Sequence, residues 1–240
     1  MFRLNRKKKK DKLQHSKIAR KLVTISDTKS YILEQFRTIR TNITFSMPEQ
    51  GLKTILVTSS TPGEGKSTNA ANLGIVFAQE GKRVLIIDGD LRKPTLHQTF
   101  KTFNKVGLSN VIAKKVAFYE AIQETFIVGL NVITSGPIPP NPSELLASKA
   151  MDALLLDVKK DYDIIIIDSP PLLSVSDTQI LANKCDSTIL IVNAGVVEKS
   201  AVQKATAILN NSQSKILGVV LNNYNVPSHR YYYEEYSFAD

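Results

Sequence analysis

Apolar residues recur along the chain with two different periods. From Thr28 to Phe45 they fall on one helical face (Ile32, Phe36, Ile39 and Ile43), with Ser26 or Asp27 placed to cap the start. Pro48 and Gly51 then interrupt the pattern. The next apolar stretches are short and nearly continuous: Thr54 to Thr58, Val84 to Ile87, Leu130 to Thr134, Asp163 to Ile167, Ser187 to Val192 and Lys215 to Leu221. All six read as strands, and the run from Val84 to Ile87 is of the kind buried on both faces. Helical patterns over Lys66 to Gln79, Val106 to Glu124, Ser143 to about Lys160 and Lys199 to Leu209 lie between them. Gly81 stops the first of these. Gly136-Pro137-Ile138-Pro139-Pro140-Asn141-Pro142 excludes regular structure ahead of the third. Strands alternating with helices predict an α/β fold, a mainly parallel sheet with helices on both faces. There is no internal repeat, and Asn223 to Asp240 has no period at all.

Composition adds a boundary. The 240 residues are 42% hydrophobic and 22% charged, enough for one large domain with a full core. Ten Lys/Arg and one acid, Asp11, fall within residues 1–22, and the remaining 21 Lys/Arg and 21 Asp/Glu balance, so the net +9 belongs to the N-terminus. A body without net positive charge argues against nucleic acid as a partner. The basic tract reads either as a solvated arm or as a segment drawn to an anionic membrane surface. The expected organisation is a basic disordered tail over residues 1–25, a nucleotide-binding domain over 26–222 and a flexible tyrosine-rich tail over 223–240. The longest apolar run is far too short to span a bilayer, and the N-terminus lacks the apolar stretch of a signal peptide. With a single cysteine, Cys185, read as buried and structural, a cytoplasmic location is expected. His15, His97 and His229 are too scattered to form a site.

The chemistry is concentrated at three strand ends. Ser60-Thr61-Pro62-Gly63-Glu64-Gly65-Lys66-Ser67-Thr68 follows a strand and opens a helix, the context a phosphate-binding loop requires. Backbone N–H groups at the helix start face phosphate oxygens, Lys66 supplies a cation for the β- and γ-phosphates, and the Ser67 hydroxyl is a ligand for Mg²⁺. Ser60 stands where the strict pattern has glycine. Ile87-Asp88-Gly89-Asp90-Leu91-Arg92-Lys93-Pro94 and Ile167-Asp168-Ser169-Pro170-Pro171 each end a strand in carboxylates, hard ligands suited to Mg²⁺. In parallel sheets ligands bind at the carboxyl ends of strands, so these acids are expected to meet Lys66 and Ser67. The pattern resembles the P-loop NTPases of the deviant Walker, SIMIBI-like type, with ATP hydrolysis or phosphoryl transfer as the chemistry.

The end of the chain bears on the acceptor. Five of eight tyrosines, Tyr224, Tyr231, Tyr232, Tyr233 and Tyr236, occupy the last 17 residues. Core packing explains such a tail poorly. Its charge from Asn225 onward, Arg230 against Glu234, Glu235 and Asp240, disfavours base stacking on nucleic acid. Phosphate acceptors remain. With these residues the chain resembles the bacterial tyrosine autokinases of capsule and exopolysaccharide synthesis, from about Ser30 to the end. The resemblance implies that ATP is bound by Thr61, Pro62, Gly63, Glu64, Gly65, Lys66, Ser67 and Thr68, and that Asn222 contacts adenine. It implies that Ser67, Asp90 and Asp168 organise Mg²⁺, and that Asp88, with Lys66 and Asp90, is catalytic, Asp88 accepting the tyrosine proton. It also implies that Glu34, Arg37 and Arg40, in an E-x-x-R-x-x-R pattern, form a subunit contact in a homo-oligomeric ring whose tails feed neighbouring sites. By the same resemblance a transmembrane polysaccharide co-polymerase adaptor activates the kinase at the inner face of the membrane, and a cognate tyrosine phosphatase reverses it. The closest alternative, a spatial-organising ATPase of the septum-positioning or partition type, has a lysine where this chain has Thr61 and no use for a tyrosine cluster. A nucleotide-gated scaffold with little turnover is a third reading.

Overall fold

A computed structural model describes residues 22–26, 31–46, 53–213 and 215–224. The elements in chain order are α1 (Val23–Ser26), α2 (Tyr31–Ser46), β1 (Thr54–Ser59), α3 (Lys66–Gln79), β2 (Val84–Asp88), α4 (Leu96–Phe100), α5 (Leu108–Ile112), α6 (Phe118–Ala121), β3 (Ile122–Glu124), β4 (Leu130–Ile133), α7 (Pro142–Ala147), α8 (Lys149–Asp161), β5 (Ile164–Asp168), α9 (Asp177–Ala182), β6 (Ser187–Asn193), α10 (Lys199–Asn210) and β7 (Lys215–Asn222). Seven strands form one sheet in the order β3-β4-β2-β5-β1-β6-β7. All neighbours are parallel except β3 and β4.

The apolar runs of β1, β2, β5 and β6 are central strands because both of their faces are covered, whereas the run expected as a last strand, β7, is the edge of the sheet with Val219 and Leu221 exposed. Ile55, Val57, Ile86, Ile166 and Ile191 pack with Leu33, Phe36 and Phe77 of α2 and α3 on one side. Leu56, Leu85, Ile87, Ile165, Ile167 and Leu190 pack with Met151, Leu154, Leu181 and Leu209 of α8, α9 and α10 on the other. Alternate residues of each strand thus feed two separate cores. Within the second core Cys185 is buried, and burial drives its thiol pKa upward, which makes it an inert packing group.

Four expectations need correction. The helix expected over Val106–Glu124 is two short helices followed by β3, an antiparallel edge strand. Gln123 faces Val132 in the sheet, and its side chain both accepts from Phe103 N (2.9 Å) and donates to Phe103 O (2.8 Å). The helix expected from Ser143 to Lys160 breaks at Ser148, which is extended at φ −66°, ψ 155°. Two short helices, α4 and α9, were not expected at all. The body also begins earlier than residue 26, since Leu22 and Thr24 are buried and the Thr24 hydroxyl donates to Asn72 Oδ1 of α3 at 2.9 Å. Among the described residues no helix is long and apolar enough to cross a membrane. The basic tract up to residue 21 and Tyr231, Tyr232, Tyr233 and Tyr236 lie outside the described residues.

Candidate active site

Strand order brings the three motifs together. β5 lies between β1 and β2, with Asp168 in register with Val57 on one side and Asp88 on the other. The carboxyl ends of three adjacent strands therefore deliver the phosphate loop, Asp168 and Asp88 to one level. The loop is shaped by glycines in left-handed conformations, Gly63 (φ 86°) and Gly65 (φ 90°). A Cβ on Gly65 would stand 2.2 Å from Asn222 Nδ2, so this residue answers to packing as well as to backbone angle.

Glu64 braces the loop from inside. It is buried; its Oε1 accepts from Thr61 N (2.5 Å) and the Thr61 hydroxyl (3.0 Å), and its Oε2 accepts from Asn193 N at 3.1 Å. Asn222, at the end of β7, donates to the Glu64 carbonyl at 2.8 Å, and Asn223 donates to Asn193 Oδ1 at 2.9 Å. The strand that leads toward the C-terminus is thereby fastened to the phosphate loop. Tyr224, the last described residue, is exposed.

Lys66 Nζ lies 3.2 Å from the Ser67 hydroxyl, 3.5 Å from Asp90 Oδ2 and 3.9 Å from Asp168 Oδ1. Burial lowers its pKa, but Asp168, Asp90 and Asp88 together outweigh that and raise it, so the ammonium stays charged. Asp88 is fully buried. Its Oδ2 accepts from the N–H groups of Thr95 (3.2 Å) and Leu96 (3.1 Å) at the start of α4, and its Oδ1 holds only a longer contact from Asp90 N at 3.3 Å. Burial first, and the nearby Asp168 charge second, push its carboxyl up, against the pull of the Leu96 N–H. Asp90 Oδ1 accepts from the N–H groups of Arg92 (3.2 Å) and Lys93 (2.9 Å), which folds the following loop around it.

Asp168 is fully buried, and neither of its carboxylate oxygens has a hydrogen-bond partner. Burial raises its pKa; Lys66 opposes that, as does the Ser67 hydroxyl, which approaches without meeting hydrogen-bond geometry. Two orphaned anionic oxygens facing Lys66 and Ser67 suit a hard divalent cation, directly or through its waters. Among the described residues no cluster of three His, Cys, Asp or Glu forms a closed metal cage. An open set of one hydroxyl and carboxylates matches Mg²⁺, which keeps waters and takes phosphate oxygens.

Two features escaped the sequence reading. Asp177, fully buried at the start of α9, accepts from Arg92 Nε (2.8 Å) and Nη2 (3.0 Å) and from the Ser143 hydroxyl (2.8 Å). Burial raises its pKa, but the bonds from Arg92 and Ser143 win and lower it. Arg92 thus ties the Asp90 loop to α7 and α9 by a two-pronged ion pair. No motif marks Asp177, since Ser176-Asp177 reads only as a helix start. The expected charged stripe on α2 is also divided. Glu34 and Arg37 pair on the surface at 2.5 Å, whereas Arg40 turns inward, donating to Val76 O at 3.1 Å with Glu80 3.6 Å away.

A parallel sheet with this loop and convergent carboxylates defines a P-loop nucleotide-binding protein. A family model described as "AAA domain" matches residues 52–220. The chain is 46% identical over 217 residues to the tyrosine-protein kinase YwqD of Bacillus subtilis (strain 168), covering 90% of this chain and 92% of that protein. Among solved structures, the chimerical protein CapA2B2 superposes with a TM-score of 0.82 at 41% identity, over 86% of this chain and 91% of that one. The kinase domain of the Escherichia coli tyrosine kinase ETK does so with a TM-score of 0.83 at 32% identity, over 87% and 82%. The chain belongs to this AAA-domain family and, within it, to the bacterial tyrosine-protein kinases. Its enzymatic class is protein-tyrosine kinase, and the spatial-organising ATPase is set aside.

Proposed function

We propose that the chain phosphorylates its own C-terminal tyrosines, in trans within a homo-oligomeric ring, and thereby regulates capsule or exopolysaccharide synthesis and export. The observation that carries the reading is the convergence of Lys66, Asp88, Asp90 and the orphaned Asp168 at the same end of the sheet from which β7 leads toward residues 225–240. Residues Thr61 to Thr68 hold the phosphates of ATP by backbone N–H groups and by Lys66, and Asn222 borders the base. Ser67, Asp90 and Asp168 would hold Mg²⁺, which neutralises charge on the β- and γ-phosphates when bound. The tyrosine oxygen bonds to the γ-phosphorus as the bond to the β–γ bridging oxygen breaks, ADP carries away that electron pair, and Asp88 Oδ1 takes the phenolic proton. Burial raises this carboxyl, and a divalent cation held by Ser67, Asp90 and Asp168 would draw it back toward the ionised form that accepts a proton.

Glu34 and Arg37 remain exposed for a subunit contact, while Arg40 supports α2 from within the chain. A transmembrane adaptor with a cytoplasmic activating segment fits a chain related to the CapA2B2 chimera and lacking a membrane helix among its described residues, and it would recruit the kinase to the inner face of the membrane. Phosphates, at about −1.5 to −2 charge each, would expel the tails and dissolve the ring, with a tyrosine phosphatase restoring it.

The test is incubation with ATP, Mg²⁺ and a peptide from the adaptor's cytoplasmic tail, followed by intact mass. Stepwise phosphate gain is expected for the wild type and not for Lys66→Met or a chain ending at Asn223. ATP turnover with no mass gain would overturn the reading.

A further inference from the structure

Asp90 and Asp168 reach the site on different loops, one after β2 and one after β5, and their like charges repel. Both loops are fastened from outside by the same helix, α9. Its first residue, Asp177, is fully buried and holds Arg92 by the two-pronged ion pair. The Ser143 hydroxyl of α7 donates to Asp177 Oδ1 at 2.8 Å and accepts from Arg92 Nη2 at 3.1 Å, which completes the set around the pair. The N–H groups of Arg92 and Lys93 in turn carry Asp90 Oδ1, at 3.2 and 2.9 Å, while Asp90 Oδ2 faces Lys66. The next residue of α9, Thr178, is also fully buried, and its hydroxyl donates to Pro170 O at 2.6 Å. Pro170 follows Asp168 and Ser169 in the chain, and its carbonyl takes a second bond from the Thr58 hydroxyl of β1 at 3.1 Å. One turn further along α9, Leu181 packs where the two loops meet. A Cβ on Gly89 would lie 3.0 Å from Leu181 Cδ1 and 2.8 Å from Asp168 O, and Gly89 N donates to that carbonyl at 2.7 Å.

We infer that α9 is the brace that sets the spacing of Asp90 and Asp168, with Asp177 and Thr178 as positioning residues for the divalent cation. The inference rests on the proposed Mg²⁺ site and names what holds its ligands in place. Neither residue is itself a ligand: Asp177 acts through Arg92, and Thr178 acts through the Pro170 carbonyl. Mg²⁺ demands near-octahedral geometry and dehydrates reluctantly, so a small change in the spacing of its carboxylates weakens its binding. Groups that orient metal ligands typically contribute roughly 10- to 100-fold to metal affinity. Stability is a poor reason for the Arg92–Asp177 pair, because burying a carboxylate costs desolvation that an apolar contact of the same volume avoids. Position is the better one, since the planar guanidinium fixes two bonds at once and carries the Asp90 loop with it.

The experiment is a Mg²⁺ titration of the full chain with fluorescent N-methylanthraniloyl-ATP, alongside the affinity for the same nucleotide in EDTA. In the wild type, Mg²⁺ should tighten binding. Asp177→Asn keeps the volume and removes the charge. It should bind the Mg²⁺-free nucleotide as the wild type does and need roughly tenfold more Mg²⁺ for the same tightening. Arg92→Lys should behave alike, since an ammonium cannot make both bonds. Thr178→Val should also raise the Mg²⁺ requirement, and Thr178→Ser, which keeps the hydroxyl, should restore it; this pair decides the matter if Asp177→Asn does not fold. Affinity lost equally with and without Mg²⁺ overturns the brace, as do titrations of Asp177→Asn or Thr178→Val that coincide with the wild type. Asp168→Asn separates that failure from failure of the Mg²⁺ site. Loss of the Mg²⁺ effect in this variant upholds the site whatever α9 does, and a wild-type titration overturns the site and the brace together.

Discussion

At the ends of β2 and β5, Asp88 and Asp168 stand side by side, fully buried, with one lysine between them and the phosphate loop. Burial raises both carboxyl pKa values, helped by the Asp168 charge at Asp88, which reaches about 8, and by the Asp90 charge at Asp168, where Lys66 and Ser67 oppose it. Between the ordinary carboxylate range near 4 and that value, the folded chain holds protons that the unfolded chain has released, so stability falls as pH rises through this window. Asp163, Asp177 and Asp186, whose pKa values are lowered, lose their contributions only on acidification below it. His97, lowered by burial, acts in the opposite sense but is common to any pair of chains compared. The melting temperature of the nucleotide-free wild type should therefore drop between pH 5 and pH 8 more than that of Asp168→Asn, by a few degrees at about 2–4 °C per kcal/mol. A calorimetric pH series checks this, and equal slopes would show that Asp168 carries no such cost. Asp168→Asn should also lose most phosphate incorporation, which would mark the buried charge as held for function against stability.

Among the elements, α5 shows how far local sequence carries. Its start is set by Gly107, which is extended (φ −169°) and pressed against the backbone after β4: a Cβ there would lie 2.3 Å from both Thr134 O and Gly136 N. Gly107→Ala should cost roughly 2–4 kcal/mol, read as a lower denaturation midpoint, because backbone on both sides cannot yield. Strands β1, β2, β5 and β6 were legible as apolar runs since both of their faces are covered. Helix α3 was legible to the residue, from Lys66 to Gln79, because glycines flank it. The stretch from Val106 to Glu124 misled because its apolar spacing is compatible with a helix. Pairing of Ile122 with Ile133 and the Gln123–Phe103 bonds decide for an edge strand, and those partners are remote in sequence.

For the whole molecule, the net charge of +9 arises within residues 1–22, while the body is neutral. If the tract meets anionic lipid, each cation contributes about 1 kcal/mol near the surface, and the attraction fades with salt. The full chain should sediment with phosphatidylserine vesicles at low salt and remain in solution at high salt or with neutral vesicles. Reversing Lys7, Lys8, Lys9 and Lys10 to Glu should abolish sedimentation while leaving ATP binding intact. Retention by the reversed chain would assign the tract to solvation alone. The sequence by itself determined the α/β class, the phosphate loop and the strand-end carboxylates Asp88, Asp90 and Asp168, because buried runs, glycine-rich turns and the acids that follow them are local patterns. Only the tertiary structure decided that β5 separates β1 from β2, that Asp177 anchors Arg92, that Glu64 and Asn222 fasten β7 to the loop, and that Arg40 turns away from Glu34. Each of these depends on strand order and on contacts between residues distant in the chain, and local spacing carries no record of either.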